Sequence, residues 1–140
     1  MSNTYDSDLW SVDLPPGWQV REHEICTSFF REDGVGALQV GAFLHEYQEI
    51  TDPDLLEINE EAGNEDAPVL AFSSDHFKGF STRFSTEEAH WGRWLLRAGR
   101  LLVHVTYNCN LENAGVEDHE VYEIVMTFRP AEDLTIYEDS

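Results

Sequence analysis

Hydrophobic and polar residues alternate along several short segments of the first half of the chain, as is typical of half-buried β-strands. The first strand is predicted at residues 10–14, where Trp10, Val12 and Leu14 share one face. Pro15 ends it because proline cannot donate a hydrogen bond to a strand ladder. A second strand is predicted over residues 18–30, and a third, after the Asp-Gly turn signal, over residues 37–44.

The second half of the chain repeats this alternation in three longer segments. Strands are predicted over residues 77–85, 91–98 and 100–108, joined by short turns. The last of these strands has one wholly apolar face, formed by Leu101, Val103, Val105 and Tyr107. Residues 69–72 fit either a short strand or an extended lead-in to the first of the three.

Two segments have helical rather than alternating spacing. The first predicted helix begins at Thr51 as N-cap, has Asp54 in the third helical position as in a capping box, and ends at Gly63. The second spans residues 116–129, with an apolar stripe formed by Val121, Ile124, Val125 and Phe128. Pro130 ends this second helix.

The predicted element order is βββ-α-βββ-α, with about six strands and two helices. Runs of strands rather than alternating βαβ units indicate an α+β fold with a mainly antiparallel sheet. The 140 residues fit a single domain over residues 1–130. The acidic residues 131–140 are predicted to form a frayed C-terminal tail.

Three parts of the pattern resemble a known family. They are the Trp-x-Val-x-Leu-Pro-x-Gly-Trp opening (Trp10, Val12, Leu14, Pro15, Gly17 and Trp18), the strands at 91–97 and 101–108, and a last helix ending near Phe128 and Arg129. Together they resemble the small bacterial PsbP-like domains, which include effector-associated chaperones and many uncharacterised proteins. The resemblance implies an α/β sandwich and a non-catalytic role, and it supplies no catalytic motif to transfer.

Charge narrows the classes of partner. The chain has 28 acidic and 8 basic residues, a formal net charge of −20. Binding to nucleic acid or to an anionic membrane requires a clustered positive surface, so both are excluded as main partners. A partner bound electrostatically should be a basic protein.

The N-terminus and the cysteines bear on the cellular compartment. Residues 1–9 are polar and acidic and lack the features of a secretory signal, so a cytoplasmic location is expected. Cys26 and Cys109 could in principle pair, but buried thiols are the favoured interpretation in a reducing compartment.

The acidic residues concentrate in the first helix and the loop after it, which contain no basic residue. They are Asp52, Asp54, Glu57, Glu60, Glu61, Glu65 and Asp66. One interpretation is a solvated helix face. The functional interpretation is a partner-binding surface formed by Asp54, Glu57, Glu60, Glu61 and Glu65, where opposite charges would speed encounter with a toxin or secreted effector.

The sequence contains no phosphate-binding Gly-x-x-x-x-Gly-Lys, no Gly-x-Ser-x-Gly and no His-Glu-x-x-His. We therefore expect a non-enzymatic protein of the immunity-protein or effector-chaperone kind, without cofactor or metal. His119 and Glu123 share a helix face, but two ligands do not make a metal site.

The alternative is a small enzyme or ligand-binding protein with a sheet-face pocket around His104, Arg93 and Arg97. Five of the eight basic residues fall between residues 78 and 100, so either internal ion pairing or an anion pocket is possible. His104 is expected to be a partly buried, hydrogen-bonded side chain.

Overall fold

Residues 3–61 and 67–131 are described by a computed structural model, and they form ten strands and two α-helices. The strands are β1 (Asn3–Asp6), β2 (Trp10–Leu14), β3 (Trp18–Glu22), β4 (Thr27–Arg31), β5 (Gly36–Leu44), β6 (Val69–Ser73), β7 (Lys78–Ser85), β8 (Ala89–Ala98), β9 (Leu101–Asn110) and β10 (Arg129–Pro130). Helix α1 spans Asp52–Glu61 and helix α2 spans Asp118–Met126, preceded by a 3-10 turn at Leu111–Asn113.

The strands form two antiparallel sheets. The large sheet has the order β3-β4-β5-β9-β8-β7-β6, and the small sheet has the order β1-β2-β10. The predicted α+β class, with two helices and mainly antiparallel pairing, is confirmed.

The predicted count of about six strands is wrong, because the chain makes shorter strands at both ends. The strand predicted over residues 18–30 is a hairpin of β3 and β4, closed by the His23 amide donating to the Cys26 carbonyl at 2.8 Å. Strand β1 lies in the polar N-terminal segment, and β10 contains Pro130. Residues 69–72 do form a strand, within β6.

One face of the large sheet carries the main core. The small sheet and α2 pack against it, so that Trp10, Phe29 and Phe128 are almost fully buried together. The aromatic rings of Trp10 and Phe128 lie 5.3 Å apart between centroids. Helix α2 therefore buries its predicted apolar stripe, as Val121, Ile124 and Val125 show.

The opposite face of the large sheet is covered in part by α1. Leu55 of the helix packs with Leu95 of β8, Leu102 of β9 and Ile50 in a second, smaller buried cluster. The large sheet is thus covered on both faces. Helix α1 is too short to be stable alone, so its stability depends on this narrow apolar contact.

Helix α2 ends earlier than predicted. Helix α2 stops at Met126, where the Thr127 hydroxyl donates back to the Ile124 carbonyl at 2.7 Å and accepts the Asp13 amide at 3.0 Å. Helix α1 is described to Glu61, so the predicted end at Gly63 lies outside the described residues. The same holds for residues 132–140 of the predicted tail. Neither described helix is long and apolar enough to cross a membrane.

Candidate protein-binding surface

Helix α1 carries three exposed carboxylates that have no partner among residues 3–61 and 67–131. Glu57, Glu60 and Glu61 are exposed and form no hydrogen bond or ion pair with any other described residue. The carboxylate of Asp52 accepts the Arg97 Nε–H at 2.6 Å. Glu65, the fifth predicted partner-binding residue, lies outside the described residues.

Asp54 has a structural role in addition to its place on the acidic surface. Its carboxylate accepts the Thr51 amide at 2.9 Å, and its own amide donates to the Thr51 hydroxyl at 3.4 Å. This reciprocal pair is a capping box with aspartate in place of the usual glutamate, as the sequence indicated. The pKa of the Asp54 carboxyl is lowered, mainly by the hydrogen bond from the Thr51 backbone amide and to a lesser extent by the hydrogen bond with the Thr51 side chain.

The exposed carboxylates lie on different flanks of α1. Leu55 faces the sheet, while Leu56 and Asn59 line a narrow cleft with Val69 of β6. At 3.6 residues per turn, Glu60 follows Leu56 along the flank that faces β6. Glu61 lies toward the opposite flank. The helix therefore presents one carboxylate beside the edge of the sheet and another away from it.

An apolar edge beside α1 was not recognised in the sequence as functional. Strand β6 ends the large sheet, and its Val69 and Leu70 side chains are 39% and 63% exposed. Leu70 borders an open groove of about 470 Å³, whose lining includes Trp94 and Tyr122. The available signal was the uncharged run at residues 67–74 within a strongly acidic chain.

In contrast to the exposed glutamates of α1, Asp118 and Glu120 of α2 bind side chains of the large sheet, while Glu123 lies on the exposed face beside His119. Glu120 accepts hydrogen bonds from Arg31 and from the Trp18 indole, each at 2.8 Å. Asp118 pairs with Arg83 at 2.8 Å. These carboxylates are satisfied internally, so they do not contribute a comparable unpaired surface.

The buried N-cap Glu117 accepts the Tyr107 hydroxyl at 2.7 Å. The pKa of Tyr107 is raised, first by burial and then by this carboxylate. Gly34 leaves room for the carboxylate, since a Cβ there would lie 2.6 Å from Glu117 Oε2. A Cβ at Gly36 would lie 2.5 Å from the Tyr107 hydroxyl, so the β4–β5 turn is shaped around this buried pair.

A second acid-lined groove lies between the β1–β2 turn and the β3–β4 hairpin. It encloses about 650 Å³ and is bordered by Asp6, Asp8, Glu22 and Glu24. Asp6 accepts the Ser11 hydroxyl at 2.6 Å, and Glu22 accepts the Tyr5 hydroxyl at 2.5 Å. Two of its four carboxylates are thus engaged within the fold, which makes this groove a weaker cation-binding surface than α1.

The two arginines of the predicted sheet-face pocket, Arg93 and Arg97, both lie on β8 but have different surroundings. Arg97 is paired with Asp52, so of the two alternatives for these basic residues, internal ion pairing applies to Arg97. Arg93 lies over the ring of Phe84, with 5.3 Å from guanidinium carbon to ring centroid, and Phe84 is stacked on Trp91. Its Nε and Nη1 atoms are buried and have no hydrogen-bond partner among residues 3–61 and 67–131. Burial lowers the pKa of Arg93.

His104 is partly buried, as expected, but the expected hydrogen bond is not found at Nε2. That atom is buried without a partner in the described part of the chain. Burial lowers the pKa of His104, and the nearby charge of Arg93 lowers it further. Alternation along β9 places Cys109 on the opposite face of the sheet from His104, so the two side chains do not form a thiol–imidazole pair.

The remaining candidate residues form no recognisable chemical site. Cys26 and Cys109 are both free thiols, and only Cys109 is buried. His119 contacts Glu123 at 3.0 Å on the exposed face of α2. No group of three or more potential metal ligands occurs among the residues that the structure describes.

Comparison with known proteins identifies the fold but no family. No family model matches the chain, and no curated protein matches it. The fold is similar to a crystal structure, determined at 1.50 Å, of a Bacteroides thetaiotaomicron VPI-5482 protein, with a TM-score of 0.64 and 16% identity over 88% of this chain. The match spans 45% of that protein, less than half its length. The resemblance to PsbP-like domains stays a prediction.

Proposed function

We propose that this protein is a non-enzymatic binding protein that uses the acidic face of α1 to bind a basic surface of another protein. The observation that carries the proposal is the set of unpaired carboxylates at Glu57, Glu60 and Glu61. They are exposed on one short helix, whereas Glu117 and Glu120 at α2 are engaged by arginine, tryptophan and tyrosine side chains.

Electrostatic attraction would raise the rate at which the partner associates and would orient the partner before contact. A cluster of one sign attracts an oppositely charged surface during diffusion and aligns it before contact. Like charges at Glu57 and Glu61, four residues apart on a helix, cost about 0.2–0.5 kcal/mol in isolation. A bound basic surface would remove that repulsion, so the unpaired arrangement favours the complex over the free protein.

The character of the surface favours one of the two predicted roles. An effector chaperone would offer an apolar groove to a hydrophobic helix, whereas an immunity protein covers a basic site of a toxin. The exposed face of α1 is charged rather than apolar. We therefore propose an immunity-like role in the cytoplasm, with a basic toxin domain as partner.

The test uses the full-length protein as bait in an extract of its native host that contains the products of the neighbouring genes. The bait variant combines Glu57→Gln, Glu60→Gln and Glu61→Gln. The matched control combines Glu87→Gln, Glu88→Gln and Glu112→Gln, which removes the same charge from exposed side chains that also lack a partner in the described part of the chain.

A captured protein is then purified and its affinity is measured at several salt concentrations. We expect the α1 variant to bind at least about tenfold more weakly than the control at low salt, with the two converging at high salt because salt screens exposed charges. Equal affinity of the α1 variant and the control at low salt would remove α1 from the binding surface.

A further inference from the structure

We propose that the partner binds as an eighth strand along the outer edge of β6, and that this strand carries alternating basic and apolar side chains. The inference rests on the proposed function, because it names how the partner of the acidic helix is held. In the described residues β6 is paired only with β7, so its other edge presents unpaired backbone groups.

The β6 edge lacks the usual protection of an exposed edge strand. Charged residues on an edge strand discourage another chain from pairing with it. The opposite edge of the same sheet, β3, carries Arg21 and Glu22. Strand β6 has the sequence Val-Leu-Ala-Phe-Ser, without a charge, and it exposes Val69 and Leu70. The two edges of one sheet therefore differ, and β6 is the one suited to strand addition.

The surroundings of β6 define what the added strand must carry. Side chains of a strand point alternately to the two faces of the sheet. On the α2 face they would enter the groove bordered by Leu70, Trp94 and Tyr122, with Tyr122 51% exposed. On the α1 face they would pass Val69 and Leu56 and reach the flank that bears Glu60. Apolar side chains fit the first face and lysine or arginine fits the second.

A second copy of this chain is a poorer occupant of the same edge. Antiparallel pairing of two β6 strands about a twofold axis perpendicular to the sheet would place both α1 helices on the same face. The two Glu60 flanks would then approach each other, between chains that each have a net charge of −20. Like charges placed together oppose association, so charge favours a basic partner strand over self-pairing.

The probe is a capped ten-residue peptide of alternating lysine and valine, titrated against the full-length protein by calorimetry or fluorescence anisotropy. Two N-methylated forms are compared with it, one methylated on every lysine amide and one on every valine amide. In an added strand only one of these two sets of amides faces β6. We expect one form to lose at least about tenfold in affinity and the other to stay within about threefold.

The protein variants locate the binding site on the sheet. Glu60→Lys should weaken peptide binding more than Glu61→Lys, since both make the same charge change but only Glu60 flanks the β6 edge. Leu70→Glu should weaken binding further, and an alternating glutamate–valine peptide should not bind.

The outcomes separate this inference from the proposed function. If both N-methylated peptides bind as well as the parent, or if the parent does not bind at millimolar concentration, strand addition is wrong, while the partner assay with the triple Gln variant still tests α1. Dimerisation in sedimentation equilibrium that is abolished by Leu70→Glu would assign the edge to a second copy and overturn the proposal. Peptide binding that is insensitive to Glu60→Lys would also overturn it.

Discussion

The two helices of this protein have similar acidity and opposite relations to the rest of the fold. Each has acidic residues in its first turn and no basic residue in its last turn. At α2, the carboxylates of Asp118, Glu120 and the N-cap Glu117 are bound by side chains from strands of the large sheet, whereas three carboxylates of α1 contact no basic group in the described residues. Acidity alone therefore does not identify a binding surface. The positions of the basic residues in the fold determine which carboxylates are paired internally and which remain available to bind a partner.

The comparison also separates stability from function. At α2, charged side chains form ion pairs and hydrogen bonds that hold the helix against the sheet. At α1, the helix is held by Leu55 and its neighbours and by the Asp52–Arg97 pair, while the three exposed glutamates add only mutual repulsion to the free protein. Substitutions at the two helices should therefore have opposite consequences for folding and for binding.

The largest effect on folding is expected from Tyr107→Phe. Removing the hydroxyl leaves the buried Glu117 carboxylate without its donor, so we expect a loss of about 1–3 kcal/mol in the free energy of unfolding, measured by urea denaturation. Tyr122→Phe is the matched control, since Tyr122 is exposed on α2 and makes no described hydrogen bond. The free energy of unfolding of Tyr122→Phe should differ from that of the unmodified protein by no more than about 0.5 kcal/mol. Equal effects of the two substitutions would show that Glu117 does not depend on this hydroxyl.

A smaller effect is expected from neutralising one carboxylate on each helix. Glu120→Gln loses the charge that pairs with Arg31, at a site about one-third exposed, and should cost about 1 kcal/mol. Glu57→Gln relieves like-charge repulsion and should leave stability equal or raised by up to about 0.5 kcal/mol, more at low salt. Both are compared by urea denaturation at two ionic strengths. Destabilisation by Glu57→Gln equal to that by Glu120→Gln would mean that α1 has an internal partner.

The smallest effect concerns the capping box of α1 and its dependence on pH. Because the native pKa of Asp54 is lowered, its contribution to stability is complete above the unfolded pKa of about 3.9 and is lost as the pH falls through the lowered native value. An NMR titration of the Asp54 carboxyl should give a native pKa below that of an unstructured aspartate. In Thr51→Val, which removes the hydroxyl but keeps the amide, most of the lowering should remain. A native pKa at the unperturbed value would contradict the cap.

The sequence predicted the parts of the fold that depend on local pattern. The alternation from Leu101 to Tyr107 identified β9, and the Thr51–Asp54 spacing identified the start of α1. It missed β1 because the segment is short and polar and begins and ends with residues that disfavour strands, Asn3 and Asp6; the strand forms through pairing with β2 and packing of Tyr5 against Phe29. It also merged β3 and β4, since the turn at residues 23–26 contains neither glycine nor proline.

The candidate site was predictable in composition but not in geometry. The acidic run of α1 is visible in the sequence, and three of its glutamates are exposed. The pairing of Asp52 with Arg97 joins residues 45 positions apart, so no local pattern could have shown that Asp52 is engaged within the fold. The edge position of β6 depends likewise on the strand order of the whole sheet, which places Leu70 beside Tyr122.

Strand β10 has a consequence for how the chain reaches its native state during synthesis. It pairs with β2. Arg129 and Thr127 form hydrogen bonds with Asp13, which precedes them by 116 and 114 residues respectively. A growing polypeptide cannot complete the small sheet or cover Trp10 with Phe128 until those residues have left the ribosome. Translation of nearly the entire described chain thus precedes closure of its main core, and the apolar side chains of the early strands stay exposed to water in the interval.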